Sequence, residues 1–435
     1  GTLLDSGSDL PAANLTGTIA DARFPATLPA ASAANLTAIP AANITGTLPA
    51  ISATNLTNVP AANITGTLPA ISGASLTSVN AVNGGRKNMI INGDMKVDQR
   101  NSGVVTANTI QNYTLDRWTV YQSTTAKMTI QQKTSNDASW AATAHTNYLG
   151  MVSESAFSVG TSAQYLIQQY IEGFNFSHMM WGTSAAKPMT ISFWVQSSLT
   201  GTHGGALQNS SSNRCFPFSY AISSANTWER KTITIAGDTT GTWVGGSNGI
   251  GVELTFSMGT GSNYSATAGS WTSTQYVTSA TNAVSVVGTS GATWNVTGVQ
   301  VETGSVATDF EHRSYGEELA LCQRYFQAIS FRSAWGSGVG KIRSSGQAFT
   351  MVKFLTTMRA VPSTITAPTV GQGSGNITYL NGETWPSTHG SMNATEASVD
   401  GCFFNLTGFS NIGSIGDVTW PYVNGTAIFY FHAEL

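Results

Sequence analysis

The chain has 435 residues and a net charge of -3, with 9% charged, 41% hydrophobic and 10% aromatic residues. That length admits about two to four domains. So weak a charge offers no basic field to a nucleic acid, no apolar run approaches the roughly 18 residues that span a bilayer, and the aromatic content excludes a chain disordered by composition.

The N-terminal part repeats. Pro40–Val59 (PAANITGTLPAISATNLTNV) and Pro60–Val79 (PAANITGTLPAISGASLTSV) align over 20 residues, and Pro11–Ile39 fits if Ile19–Thr27 is a nine-residue insertion. Large apolar residues recur in phase at Leu36, Ile39, Ile44, Leu48 and Ile51, then at Leu56, Val59, Ile64, Leu68 and Ile71. Pro40, Pro49, Pro60 and Pro69 break any helix, and Gly46 and Gly66 weaken what remains. Residues before proline are driven to extended backbone. An extended strand cannot cover these side chains alone, so identical chains must share them. The expectation is a repetitive extended trimeric stalk over 1–82, with the chain itself as partner. Asn-Leu-Thr and Asn-Ile-Thr keep the phase of the repeat and are read as turn chemistry. The opening Gly1-Thr-Leu lies inside a partial repeat and predicts a piece of a longer chain.

From Arg86 the pattern alternates. Candidate strands are Leu115–Tyr121, Lys127–Gln132, Tyr148–Ser153, Gln164–Glu172, Met189–Gln196, Phe216–Ser223, Trp228–Ala236, Gly251–Met258 and Trp294–Glu302. Short strands between Gly, Ser, Asn and Thr clusters predict an all-β antiparallel sandwich or jelly roll over 86–313. Alternation turns Ile191, Phe193 and Val195 inward and Trp194 and Gln196 outward. It likewise sets Trp228, Arg230 and Glu253 outward. Were these strands to share a sheet, the five residues would form one sugar-binding surface, with indoles under the ring and polar groups on the hydroxyls. Packing of the tryptophans against a loop or a neighbouring subunit is the alternative. Asp116 and Arg117 interrupt the first strand and are read as an internal ion pair, with Arg100 as a second possible partner.

Ser314-Tyr-Gly-Glu317 is a capping box. It opens a helix over Glu317–Gln327, read as a connector at 314–328, with Leu319, Cys322 and Phe326 on one face. Strands Phe349–Phe354, Ser363–Ala367, Ile377–Leu380, Gly401–Thr407 and Ala427–His432 make 329–435 a C-terminal β-sandwich-like domain. Its loops carry Trp335, Trp385, Trp420 and Tyr422 as further candidate ligand contacts.

No catalytic constellation, cofactor or metal site is expected. Cys215, Cys322 and Cys402 lack metal spacing. Gly245–Gly249 matches GxSxG between strands, without the strand-turn-helix that a nucleophile elbow requires. Gly336–Lys341 lacks the first glycine and final hydroxyl of a phosphate loop. The six histidines show no HxxxH spacing.

Asn88–Arg100 (NMIINGDMKVDQR), Leu115–Trp118 (LDRW), Ile191–Val195 (ISFWV), Asn226–Glu229 (NTWE), Thr297–Glu302 (TGVQVE) and Ala307–Glu311 (ATDFE) resemble the carbohydrate-binding-module-like jelly roll of bacteriophage and prophage tail fibres. Glu318–Phe326, Met358–Pro362 and Phe431–Leu435 look like the distal module that follows it. The resemblance implies a homotrimeric receptor-binding protein of the virion tail, assembled in the bacterial host cytoplasm. It would join an upstream tail or baseplate protein and adhere to a bacterial surface glycan, multivalently and without catalysis. A structural or capsid-attached fibre without sugar binding, or a polysaccharide depolymerase, are the alternatives. In related sugar-binding jelly rolls Asn-Gly-Asp, here Asn92–Asp94, helps hold a calcium ion. Lys96 replaces the usual acidic residue, so no calcium is expected.

Overall fold

A computed structural model describes residues 86–435 apart from 102, 104–105, 108–109, 135–138, 333–339, 345, 371–375, 381–389, 411–413 and 424–425. The expected shaft at 1–82, and the trimer built on it, lie outside these residues.

Eleven strands build an antiparallel β-sandwich: β1 (Gln111–Leu115), β2 (Trp118–Gln122), β3 (Met128–Lys133), β4 (Tyr148–Ser153), β5 (Gln164–Glu172), β6 (Met189–Ser197), β7 (Gly201–Gln208), β8 (Cys215–Ile222), β9 (Glu229–Ile235), β10 (Ile250–Thr260) and β11 (Thr293–Thr303). One sheet runs β3-β4-β11-β6-β9, with the two-residue strand Thr106–Ala107 at its β3 edge; the other runs β1-β2-β5-β10-β7-β8. The chain crosses repeatedly between the sheets, which is the jelly-roll topology. Period-two alternation drives the packing: Leu149, Met151, Ile191, Phe193 and Val195 of the first sheet meet Tyr165, Ile167, Leu254 and Phe256 of the second. Trp118 and Trp294 are fully buried among them. The three cysteines are buried and unpaired.

Most expected strands are present within one or two residues. In the sandwich and the helix three local readings change, and the C-terminal region holds four strands beyond the five expected. Leu115–Tyr121 is two strands, because Asp116 and Arg117 form the β1–β2 turn and Arg117 adopts φ 68. Their charges partner other groups, not each other: Asp116 accepts from Gln99 N and Nε2, both at 2.6 Å, while Arg117 pairs with Glu434. Strand β7 (GTHGGALQ) has too many glycines to alternate. A Cβ at Gly205 would lie 2.3 Å from the Thr255 carbonyl oxygen, so glycine is what lets the sheet and Phe218 close over it. Finally, the capped helix is shorter than expected. Ser314 Oγ accepts from Glu317 N at 3.3 Å, but the helix covers Tyr315–Gln323 and Phe326 already begins a strand. Among the described residues the other α-helix is Gly173–Phe176.

The C-terminal strands are β12 (Phe326–Arg332), β13 (Gly340–Ser344), β14 (Gln347–Lys353), β15 (Thr364–Thr366), β16 (Ile377–Leu380), β17 (Ser391–Ala397), β18 (Gly401–Thr407), β19 (Val418–Val423) and β20 (Thr426–His432). They form the sheets β12-β20-β15 and β16-β19-β13-β14-β18-β17 around Phe404, Phe429 and Phe431. The two β regions are tied directly. Arg324 donates to both Glu172 oxygens at 2.6 and 3.1 Å, and Tyr325 adds its hydroxyl at 2.5 Å. Burial would raise the Glu172 pKa, but these donors outweigh it and hold it below its ordinary value.

Candidate ligand-binding groove

Strand β5, QYLIQQYIE, alternates two chemistries. Tyr165, Ile167 and Ile171 enter the core, and Gln164, Leu166, Gln168 and Tyr170 point to the opposite face of the sheet. Register places Tyr170, Glu253 and Gln208 in one cross-strand row. Thr119, Gln168, Thr255 and Ala206 form the next. Above this face the excursion between β10 and β11 returns over the sheet. It is tied down by Tyr276 N to Ser212 O at 2.7 Å and Thr278 N to Tyr264 O at 2.9 Å. The result is a cavity of about 320 Å³ with four tyrosines, Tyr121, Tyr170, Tyr264 and Tyr276, around a floor of Gln168, Gln208 and Glu253. Tyr276 is 52% exposed and holds φ 59, a conformation bulky residues rarely adopt.

Glu253 is the one carboxylate among the described residues lining this groove. It receives a short hydrogen bond from Gln168 Nε2 and one from Thr255 Oγ1 at 3.2 Å. Burial raises its pKa to about 7, against the lowering effect of those two donors. Burial also raises the Tyr170 hydroxyl, with Glu253 adding to the effect. The groove therefore offers aromatic faces and neutral amides around one acid that changes charge near neutrality. Chemically, such a lining can take a neutral polyhydroxylated molecule: rings stack on apolar faces, and amides both donate and accept.

The residues singled out from sequence divide between places. Glu253 belongs to this groove, whereas Trp194, Gln196 and Arg230 lie on the other sheet, so the five do not form one surface. Trp194 and Arg230 are direct cross-strand partners. They line a separate cavity of about 280 Å³ with His145, Phe310 and His312. Gln196 is occupied by Asn295 at 2.8 Å and by the Asn226 carbonyl at 3.0 Å. Trp228 is 4% exposed, its ring 5.1 Å from Trp140 and 5.3 Å from Tyr148. It packs against Trp140 of a short turn and Tyr148 at the start of β4, and presents no open face. Trp335 and Trp385 lie outside the described residues. Trp420 and Tyr422, expected in loops, instead sit on strand β19, opposite Leu380 and Thr378 of β16. Sequence reasoning missed Gln168, Tyr170, Tyr264 and Tyr276. The amide and aromatic outward positions of β5 were a readable signal for the first two; the loop tyrosines carried none.

No family model matches the chain, and no curated protein matches it. Solved structures do. A putative sugar binding protein from Bacteroides thetaiotaomicron aligns with TM-score 0.31 and 9% identity over 50% of this chain and 100% of that one. A family 11 carbohydrate-binding module from Clostridium thermocellum, in complex with a β-1,3-1,4-mixed-linked tetrasaccharide, aligns with TM-score 0.23 and 9% identity over 48% and 98%. The enzymatically active domain of bacteriophage CBA120 tailspike protein 4 aligns with TM-score 0.27 and 13% identity over 50% of this chain, which spans about a fifth (21%) of that domain.

Proposed function

We propose that this chain is a virion tail fibre that adheres without catalysis to a glycan on a bacterial surface, holding it in the groove of β2, β5, β10 and β7. One observation carries the reading: four tyrosines frame a floor of Gln168, Gln208 and Glu253. A shallow site of this kind is weak, and several copies on one shaft gain by avidity. The phased Leu and Ile positions of 1–82 support a homotrimer as the source of those copies. Hydrolysis of a glycoside ordinarily takes two carboxyl groups about 5–10 Å apart. Glu253 has no such partner among the described residues of the groove, which favours binding over depolymerisation.

The test is a panel of purified bacterial surface polysaccharides and oligosaccharides offered to the intact chain and to Tyr276→Ala. Retention on one glycan class that Tyr276→Ala loses supports the reading. Retention on none points to a structural or capsid-attached fibre, and chain shortening of a retained polysaccharide points to an enzyme.

A further inference from the structure

Asp94, His145 and His312 come from three distant segments, yet one donor atom from each lies within 4.8 Å of the others. We propose that they bind a divalent transition metal of the zinc class, through two imidazoles and one carboxylate.

The site has unfilled chemistry. Asp94 is 2% exposed, and its Oδ1 is buried without a hydrogen-bond partner, as is Nδ1 of His145. Each of these buried, unpaired polar atoms is costly unless something satisfies it. Lys96 reaches only Oδ2 of Asp94, at 2.6 Å. It leaves Oδ1 free for a cation. Two ring packings position the histidines: His145 meets Phe310 edge-on at 4.8 Å, and Phe310 meets His312 at 5.0 Å. Gly298 leaves room for His145, since a Cβ there would stand 2.3 Å from Nε2.

Imidazole donors select zinc, cobalt or nickel over calcium, which prefers six to eight oxygens. Tetrahedral zinc with bonds of about 2.0–2.1 Å needs donors roughly 3.3 Å apart. The donors would therefore have to draw closer than 4.8 Å around the ion, and His312 is the exposed one of the three. Three protein ligands leave a fourth position open to water or a ligand atom. His145 and His312 also line the cavity of Trp194 and Arg230.

The experiment uses the intact, chelator-treated chain, titrated with Zn²⁺ by calorimetry and with Co²⁺ by visible absorption, alongside His312→Ala and Lys96→Ala. Expected are one ion per chain, a tetrahedral Co²⁺ spectrum, affinity at least tenfold lower in His312→Ala, and affinity higher in Lys96→Ala. His312 is exposed, so its loss should leave the fold intact, checked by an unchanged melting temperature in chelator. No uptake, or uptake unchanged in His312→Ala, overturns the site. Ca²⁺ displacing Zn²⁺ at equal concentration overturns the metal class.

Discussion

Arg117 and Glu434, separated by 317 residues, form a buried ion pair: their side chains are 1% and 7% exposed. Arg100 reaches the second oxygen of the same carboxylate at 2.5 Å. Both guanidiniums are stacked, Arg117 over Tyr325 at 3.6 Å and Arg100 over Phe326 at 3.7 Å. The end of the chain is thus locked into the first turn of the sandwich. Removing one partner of a buried pair strands the other charge, at a cost of about 3–5 kcal/mol. Glu434→Ala should lower the urea midpoint accordingly, while Glu317→Ala, which loses an exposed pair with Arg86, should stay within about 0.5 kcal/mol. Equal midpoints for the two variants would refute the lock.

Tyr276 meets solvent, so its truncation tests binding without disturbing the core. Tyr276→Ala should weaken glycan binding about tenfold, equivalent to about 1.4 kcal/mol. Its unfolding midpoint should remain near that of the parent. Gln168→Leu should also lose affinity, since it removes the amide that donates to Glu253. Equilibrium binding measured beside thermal unfolding separates the two effects.

Glu253 links pH to stability and, through the proposed groove, to glycan binding. Its folded pKa, about 7, lies above the ordinary 4.5, so the folded state binds its proton more tightly than the unfolded state. The stabilisation is complete below pH 4.5 and is lost as pH rises through 7. Asp116, raised by burial to about 6, acts in the same direction. Glu253→Gln should flatten the decline in unfolding free energy between pH 5 and pH 8, read from urea titrations. In the parent, glycan affinity should rise through pH 7, because the ionised carboxylate offers Oε2 as an acceptor to a hydroxyl while Oε1 holds Gln168 and Thr255. A parent affinity that is flat across this range would remove Glu253 from the contact set.

The glycines of β7 provide a packing test. Gly205→Ala drives a methyl into the Thr255 carbonyl and the Phe218 ring, and should cost about 1–3 kcal/mol. At Gly160 nothing lies within 4 Å, and Gly160→Ala should be neutral or slightly stabilising. Denaturant midpoints of the two variants check the difference.

If 1–82 is a shaft that assembles in threes, light scattering should return about three times the 45.5 kDa chain mass. A chain beginning at Arg86 then reports whether the globular part associates by itself. A monomeric intact chain would leave the phased Leu and Ile positions without a partner and refute the shaft.

Local order was readable in the residues. Alternation marked β4, β5 and most other sandwich strands, because a strand buried on one face must alternate. The capping box marked the start of the helix, but Phe326 was drawn into it because its spacing also suits a helical face. Strand β7 escaped because its glycines are demanded by Thr255 and Phe218, neighbours remote in sequence. The sites depended most on tertiary structure. Outward-facing residues could be recognised one strand at a time, but sheet membership could not. Glu253 joined Gln168 and Tyr170, while Trp194 and Arg230 went to the opposite face. The pairing of Arg117 with Glu434, and the meeting of Asp94, His145 and His312, needed the chain to close on itself. Periodicity is a property of neighbours along the chain, whereas a site is a property of neighbours across it.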